Sequence, residues 1–162
     1  MISDQSGGSG MAVDKEVNEL VNAYCGLRDR QHAVYDRCAK RHNLTVNELF
    51  VLDILWFAPD GCTQKEICER LSANKQTIAA ITGRFLKKGY IRMEEVAKDR
   101  RNKRIRFTDS GKTYAQTVIP PAADAENLAM AELGIKKIAE LVRLTAAFTE
   151  NMEREFSKLS AI

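Results

Sequence analysis

The chain has no apolar run approaching the roughly 18 residues that a membrane span requires, so nothing in it argues for a membrane partner. No signal peptide is apparent, and a cytoplasmic protein is the expectation. Cys25, Cys38, Cys62 and Cys68 form no CxxC pair and no Cys/His set with zinc spacing. They are expected as free thiols rather than disulfides. His32 and His42 stand alone, so neither a metal nor any other cofactor is expected. No Ser/His/Asp set, phosphate-binding glycine loop or group of convergent carboxylates can be assembled. A cysteine with His42 is the one nucleophile pairing available, and it lacks an orienting partner. The expectation is a protein that is not an enzyme.

Strong net charge is missing too. A formal +3 over 162 residues is a weak argument for nucleic acid. The distribution is a stronger one. From Arg84 to Arg106 lie Lys87, Lys88, Arg92, Lys98, Arg100, Arg101, Lys103 and Arg104, opposed only by Glu94, Glu95 and Asp99. Acidic residues collect instead near the end, at Glu150, Glu153 and Glu155. Clustered cations are the footprint of contact with a polyanion.

The hydrophobic pattern predicts mostly helix. Leu20, Tyr24, Leu27, Val34 and Cys38 continue a helical spacing begun at Val17. They mark an amphipathic helix over about 15–41, with Asp14 as N-cap. Thr45 and Glu48 form a capping box, and the LFVLDILWF run after it is apolar nearly all round, as in a central buried helix. Thr63 and Glu66 repeat the box. A short helix, the turn Ser72-Ala73-Asn74 and a second helix follow, which together make a helix-turn-helix. In that second helix Ile78, Ile81, Phe85 and Leu86 are read as inward, with Lys75, Gln76, Thr77, Ala80 and Arg84 outward.

Ile91 and Met93, then Ile105 and Phe107, alternate with polar residues on either side of a basic turn. That is a hairpin, or wing, with Lys98 to Lys103 at its tip. Thr108 caps a further helix that Pro120-Pro121 should interrupt or kink. Gly134 separates it from a last helix seamed by Ile138, Leu141, Phe148, Met152, Phe156 and Leu159. Two seamed helices exceed what so small a middle can bury, so a second copy of the chain is expected to cover them.

The segment from Asp99 to Gly111, DRRNKRIRFTDSG, resembles the wing signature of the MarR family of winged-helix regulators, an Asp and an Arg two apart followed by a strand, Leu-Thr and Gly. Phe107 stands here for the usual Leu. Leu71 to Ile91 resembles the family's recognition-helix register, with Asn74 where Ser is common and Gly83 where a larger polar residue is common. The resemblance runs from about Val13 to Leu159. It implies a mainly α fold with a small β-wing, an obligate homodimer, and control of transcription, usually repression relieved by a small ligand or by oxidation. The implied organisation is a flexible tail or cloning remnant at 1–12, an N-terminal dimerisation helix at 13–42, a winged helix-turn-helix DNA-binding lobe at 43–111, and C-terminal helices at 112–162 completing the dimerisation region.

The residues expected at duplex DNA follow from chemistry and from this resemblance. A helix N-terminus capped by Asn74 and flanked by Lys75 suits a phosphate. Gln76 can pair with adenine, and Thr77 can meet a thymine methyl or a phosphate. Arg84 is expected on the backbone or on an acidic neighbour. In the wing, Arg100 and Arg101 lie beside the tip. By resemblance Arg101 enters the minor groove, whose narrow stretches attract guanidinium groups, and Asp99 orients it. Lys103 and Arg104 are expected on phosphates.

The family's ligand cavity implies His32, Tyr35, Arg37, Phe50, Trp56 and Phe57 as lining for a small aromatic ligand. Oxidation sensing is the alternative input. Cys25 lies on the first helix, where peroxide-sensing relatives place a reactive thiol, and Cys62 precedes a helix start. A winged-helix module that binds protein instead of DNA is the remaining alternative, separable by salt-sensitive binding to duplex DNA.

Overall fold

The computed structural model describes the backbone of residues 14–96 and 99–159, and the side chains of 14–95 and 103–159. The tail expected at 1–12, Lys98 at the wing tip, and the side chains of Asp99, Arg100 and Arg101 lie outside the described residues. The chain divides into two compact units, one ending at Glu48 and the other beginning at Leu49.

The first unit is built on α1 (Lys15–Arg41). The Asp14 carboxylate accepts from the Glu16 N–H at 3.3 Å, and Lys40 and Arg41 in the last turn complement the negative end of the helix dipole. The helix stops where Asn43 takes a left-handed conformation, φ 55°, which lets the Leu44 N–H reach back to the Ala39 carbonyl. The next helix, α2 (Val46–Trp56), starts on the expected box. Glu48 Oε2 accepts from the Thr45 N–H at 2.8 Å, and Thr45 Oγ1 accepts from the Glu48 N–H at 3.3 Å. These bonds are what make the burial of the Glu48 carboxylate tolerable. Along α1 only Ala39 is buried, while Val17, Leu20, Val21, Tyr24, Leu27 and Val34 are exposed.

The second unit holds the larger core. Leu49, Val51, Leu52, Ile54 and Leu55 are all buried, as the absence of a polar face on α2 predicts. A two-residue strand, β1 (Cys62–Thr63), leads into α3 (Gln64–Leu71), whose capping box is complete between Thr63 and Glu66. After the Ser72-Ala73-Asn74 turn comes α4 (Lys75–Lys87), with Asn74 Oδ1 accepting from the Thr77 N–H at 2.8 Å. Ile78, Ile81 and Phe85 point inward, together with Thr82, whose buried hydroxyl donates to the Ile78 carbonyl at 2.9 Å. Leu86 does not join them. It is exposed, one position past the buried stripe.

Gly89, at φ 70°, turns the chain into β2 (Ile91–Val96), which pairs antiparallel with β3 (Asp99–Phe107). The sheet order is β1-β3-β2. The short β1, paired through Cys62 to Ile105 and Thr63 to Arg104, is too brief to leave a periodic signal, and the sequence did not reveal it.

Thr108 caps α5 (Asp109–Ala131), accepting from the Gly111 N–H at 3.0 Å. Pro120 and Pro121 sit inside this helix and do not interrupt it. Their missing N–H groups leave the carbonyls of Gln116 and Thr117 without helical donors, and both residues are exposed, so water can serve them. Gly134 then opens α6 (Ile135–Leu159). No residue of α6 is buried, although Leu141, Val142, Phe148, Met152, Phe156 and Leu159 line it. Among the described residues no helix is long and apolar enough to cross a membrane.

Candidate nucleic-acid interface

The exposed side of α4 carries Lys75, Gln76, Ala79, Ala80, Gly83, Arg84, Leu86 and Lys87. Its middle is small: two alanines and a glycine whose missing Cβ would meet nothing within 4 Å. Polar and cationic side chains flank this low strip, so the helix backbone can approach another surface closely. A major groove about 12 Å wide admits a helix of this kind. Gly83 costs about 1 kcal/mol of helix propensity, and in exchange it removes bulk from the approaching face. The start of the helix is held from α3, where Gln64 Nε2 donates to the Lys75 carbonyl at 3.1 Å. Of the residues expected to read bases, Gln76 is exposed, whereas Thr77 is half-buried with its N–H already engaged by Asn74.

The wing is less free in charge than its composition suggests. Arg92 Nε donates to Glu94 Oε1 at 2.7 Å, and Arg106 stands 3.2 Å from Glu94 Oε2 and 3.9 Å from Asp60. The hydrogen bond from Arg92, aided by the charges of Arg92 and Arg106, holds the Glu94 carboxyl below its usual range. Arg104 is half-buried and donates from Nη2 to the Gly61 carbonyl at 3.0 Å. That placement departs from the expectation of an outward phosphate contact. Lys103, opposite Glu95 across the hairpin, is exposed. For Asp99, Arg100 and Arg101 only the strand backbone is described, Asp99 pairing with Val96 beyond a register shift.

Of the residues expected to line a small-molecule site, His32, Tyr35 and Arg37 lie in the first unit and Phe50, Trp56 and Phe57 in the second. On α1, Arg37 lines a groove of about 390 Å³ with Leu27, Arg30, Gln31, Ala33 and Val34. His32 and Tyr35, three residues apart, share the face of the same helix away from Arg37 at 3.6 residues per turn, with His32 exposed and Tyr35 half-buried. In the second unit Phe50 and Trp56 are half-buried and Phe57 is exposed. A cleft of about 370 Å³ there is lined by Gly61, Cys62, Glu66, Glu69, Arg70 and Arg104 among others, with none of the aromatics.

Cys62 lacks the setting of a reactive thiol. It lies buried in β1, and burial, with the nearby Glu66 carboxylate, pushes its pKa up to about 11. The nearby helix start does not offset that desolvation. We expect Cys62 of the native protein to stay unmodified by a maleimide near neutral pH and to react once denaturant is added. Mass spectrometry of the tryptic peptide reads the difference, and fast native labelling would contradict it. Cys25, on α1, is half-buried. Among the described residues no group of three or more His, Cys, Asp or Glu side chains could hold a metal ion.

Residues 42–102 match a family model described as MarR family. The chain superposes with a TM-score of 0.70 and 27% identity on the structure of NMB1585, a MarR family regulator from Neisseria meningitidis, covering 88% of this chain and 95% of that one. It superposes on the transcription regulator MarR from Oenococcus oeni PSU-1 with a TM-score of 0.68 and 16% identity, covering 81% and 98%. It superposes on S. aureus MepR, in a complex with DNA, with a TM-score of 0.63 and 19% identity, covering 82% and 95%. Among curated proteins none matches the chain.

Proposed function

We propose that this chain, whose residues 42–102 match the MarR family model, is a member of that family and a homodimeric transcriptional regulator that represses by binding pseudo-palindromic duplex DNA. The observation that carries the reading is the outer side of α4, a low strip of Ala79, Ala80 and Gly83 edged by Gln76 and by the cations Lys75, Arg84 and Lys87. A strip of that shape fits a major groove, and its edges fit phosphates and base edges. The wing follows the chain order of the family signature, with Arg101 entering the flanking minor groove and Arg100 beside it. MepR, which shares the fold, has been captured in a complex with DNA.

Dimerisation is supported by two separate surfaces. In the single chain α1 exposes Leu20, Leu27 and Val34, and α6 exposes Val142, Phe148 and Phe156. Apolar seams of such length are what a second copy covers. Two copies would place their helices about one turn of duplex apart. A small aromatic ligand that releases the DNA remains the proposed input, since the buried Cys62 does not favour the oxidation-sensing alternative.

The test is a titration of the full chain against duplex DNA from upstream of its own gene, at two salt concentrations, with aromatic acids and peroxides added in turn. We expect affinity to fall steeply with salt, as counterion release requires. Arg101→Ala should weaken binding strongly while the melting temperature holds. Salt-independent binding, or none, would remove the DNA reading, and unchanged affinity of Arg101→Ala would remove the wing from it.

A further inference from the structure

Arg104 and Arg106, two residues apart on β3, both reach the Asp60–Gly61 turn. Arg104 donates from Nη2 to the Gly61 carbonyl at 3.0 Å, and its Nε is buried with no hydrogen-bond partner among the described residues. Arg106 is 3.9 Å from the Asp60 carboxylate, and its Cγ occupies the space a Gly61 side chain would need, 2.6 Å from an ideal Cβ. Gly61 itself has φ 75°, and the same Cβ would come within 2.6 Å of the Ile105 carbonyl oxygen. The turn is therefore shaped to receive two arginines of β3. The next residues, Cys62 and Thr63, pair with Ile105 and Arg104, so the bond to Gly61 prolongs the β1–β3 ladder by a side chain. Beyond it, Thr63 caps α3, the first helix of the helix-turn-helix.

Resting on the DNA-binding reading above, we propose that Arg104 is a positioning residue. It clamps the root of the wing to the Gly61 turn, fixes the angle at which Arg100 and Arg101 leave the helix-turn-helix, and makes no phosphate contact itself. Three features separate this role from that of an outward cation. The guanidinium is half-buried, its Nη2 is spent on a backbone carbonyl, and its charge adds to the Thr63 N–H in holding the Glu66 carboxyl low. A planar fork suits that position. A lysine would carry the same charge on a single ammonium and could not reproduce the fork.

The experiment compares Arg104→Lys, Arg104→Met and Lys103→Ala in the full chain. Affinity is measured over a range of salt on duplexes whose flanks, where the wing lies, are either A·T or G·C. Hydrogen exchange is followed at the Cys62 and Ile105 amides. For both Arg104 variants we expect binding about tenfold weaker, roughly what a charge-assisted hydrogen bond is worth. The slope of log K against log salt should be unchanged, the preference for A·T flanks should shrink toward none, and exchange at the two amides should quicken. Lys103→Ala should instead lower the slope by about one unit, weakening both duplexes alike.

A loss of stability alone would not alter the flank preference once titrations are corrected for active fraction. Retained affinity in Arg104→Lys, with a reduced slope in Arg104→Met, would overturn the proposal and make Arg104 a phosphate contact. Failure of the unaltered chain to bind any duplex would overturn the DNA reading instead. The clamp would then be judged by exchange alone, and unchanged rates at Cys62 and Ile105 would refute it.

Discussion

Gly111→Ala should destabilise the chain by about 3–4 kcal/mol, more than a single methyl ordinarily costs in a packed interior. The position looks innocuous in the sequence, a glycine in the first turn of α5. In the fold a Cβ there would lie 1.7 Å from the Tyr90 carbonyl oxygen and 2.5 Å from its carbon, so backbone itself must move. That carbonyl also accepts from the Thr108 N–H at 3.0 Å, and Thr108 is the N-cap of α5. Displacing Tyr90 therefore strains the helix cap, the start of β2 and the stacking of Tyr90 on Tyr114, whose ring centroids are 4.6 Å apart. Urea unfolding of Gly111→Ala beside Gly83→Ala provides the measurement. The second substitution meets nothing within 4 Å and should stabilise by up to about 1 kcal/mol. Equal midpoints for the two variants would mean that α5 does not start against Tyr90 as described.

Much of the fold was legible because it is written locally. Asp14, Thr45, Thr63, Asn74 and Thr108 each announce a helix start by a side chain that can accept from an N–H two or three residues on, and each does so in the structure. The glycine exit from α4 and the period-two runs of the hairpin are equally local. The misreadings needed three-dimensional information. Pro120 and Pro121 are tolerated because Gln116 and Thr117 happen to face water. Leu86 is apolar yet exposed because α4 buries only a narrow stripe.

The site was legible to the same depth and no further. Composition showed where cations gather in the chain, but only geometry shows which are already engaged. Glu94 pairs with Arg92 and Arg106, and Gly61 occupies Arg104, partners as distant in sequence as 43 residues. Chain order alone put Arg104 on a phosphate and left Arg92 and Arg106 in an undifferentiated basic cluster, and the hydrogen bonds and ion pairs give each of the three a partner within the chain. Cys62 has a similar history. Its place before a helix start suggested an easily ionised thiol, and its place inside the β1–β3 pair raises the pKa instead.

Ala80→Glu should weaken operator binding by roughly a hundredfold while leaving the protein folded. Ala80 is exposed midway along α4, on the strip bounded by Gln76 and Arg84. Glutamate is a good helix former and its head group there meets only solvent in the free protein, so stability should change by no more than about 0.5 kcal/mol. In a complex the same carboxylate would be carried into a groove walled by phosphates and floored largely by base acceptors. Like charges brought together at an interface cost several kcal/mol, and about 3 kcal/mol is roughly a hundredfold in Kd. Ala80→Lys separates charge from bulk. It adds a side chain of similar reach and opposite sign, and should retain most of the affinity with a steeper salt dependence. Fluorescence anisotropy of labelled duplex, paired with thermal melts of each variant, distinguishes the outcomes. If both variants lose binding equally, size rather than charge limits the approach of α4. If neither does, α4 does not enter the groove, and the DNA must be held by the wing alone.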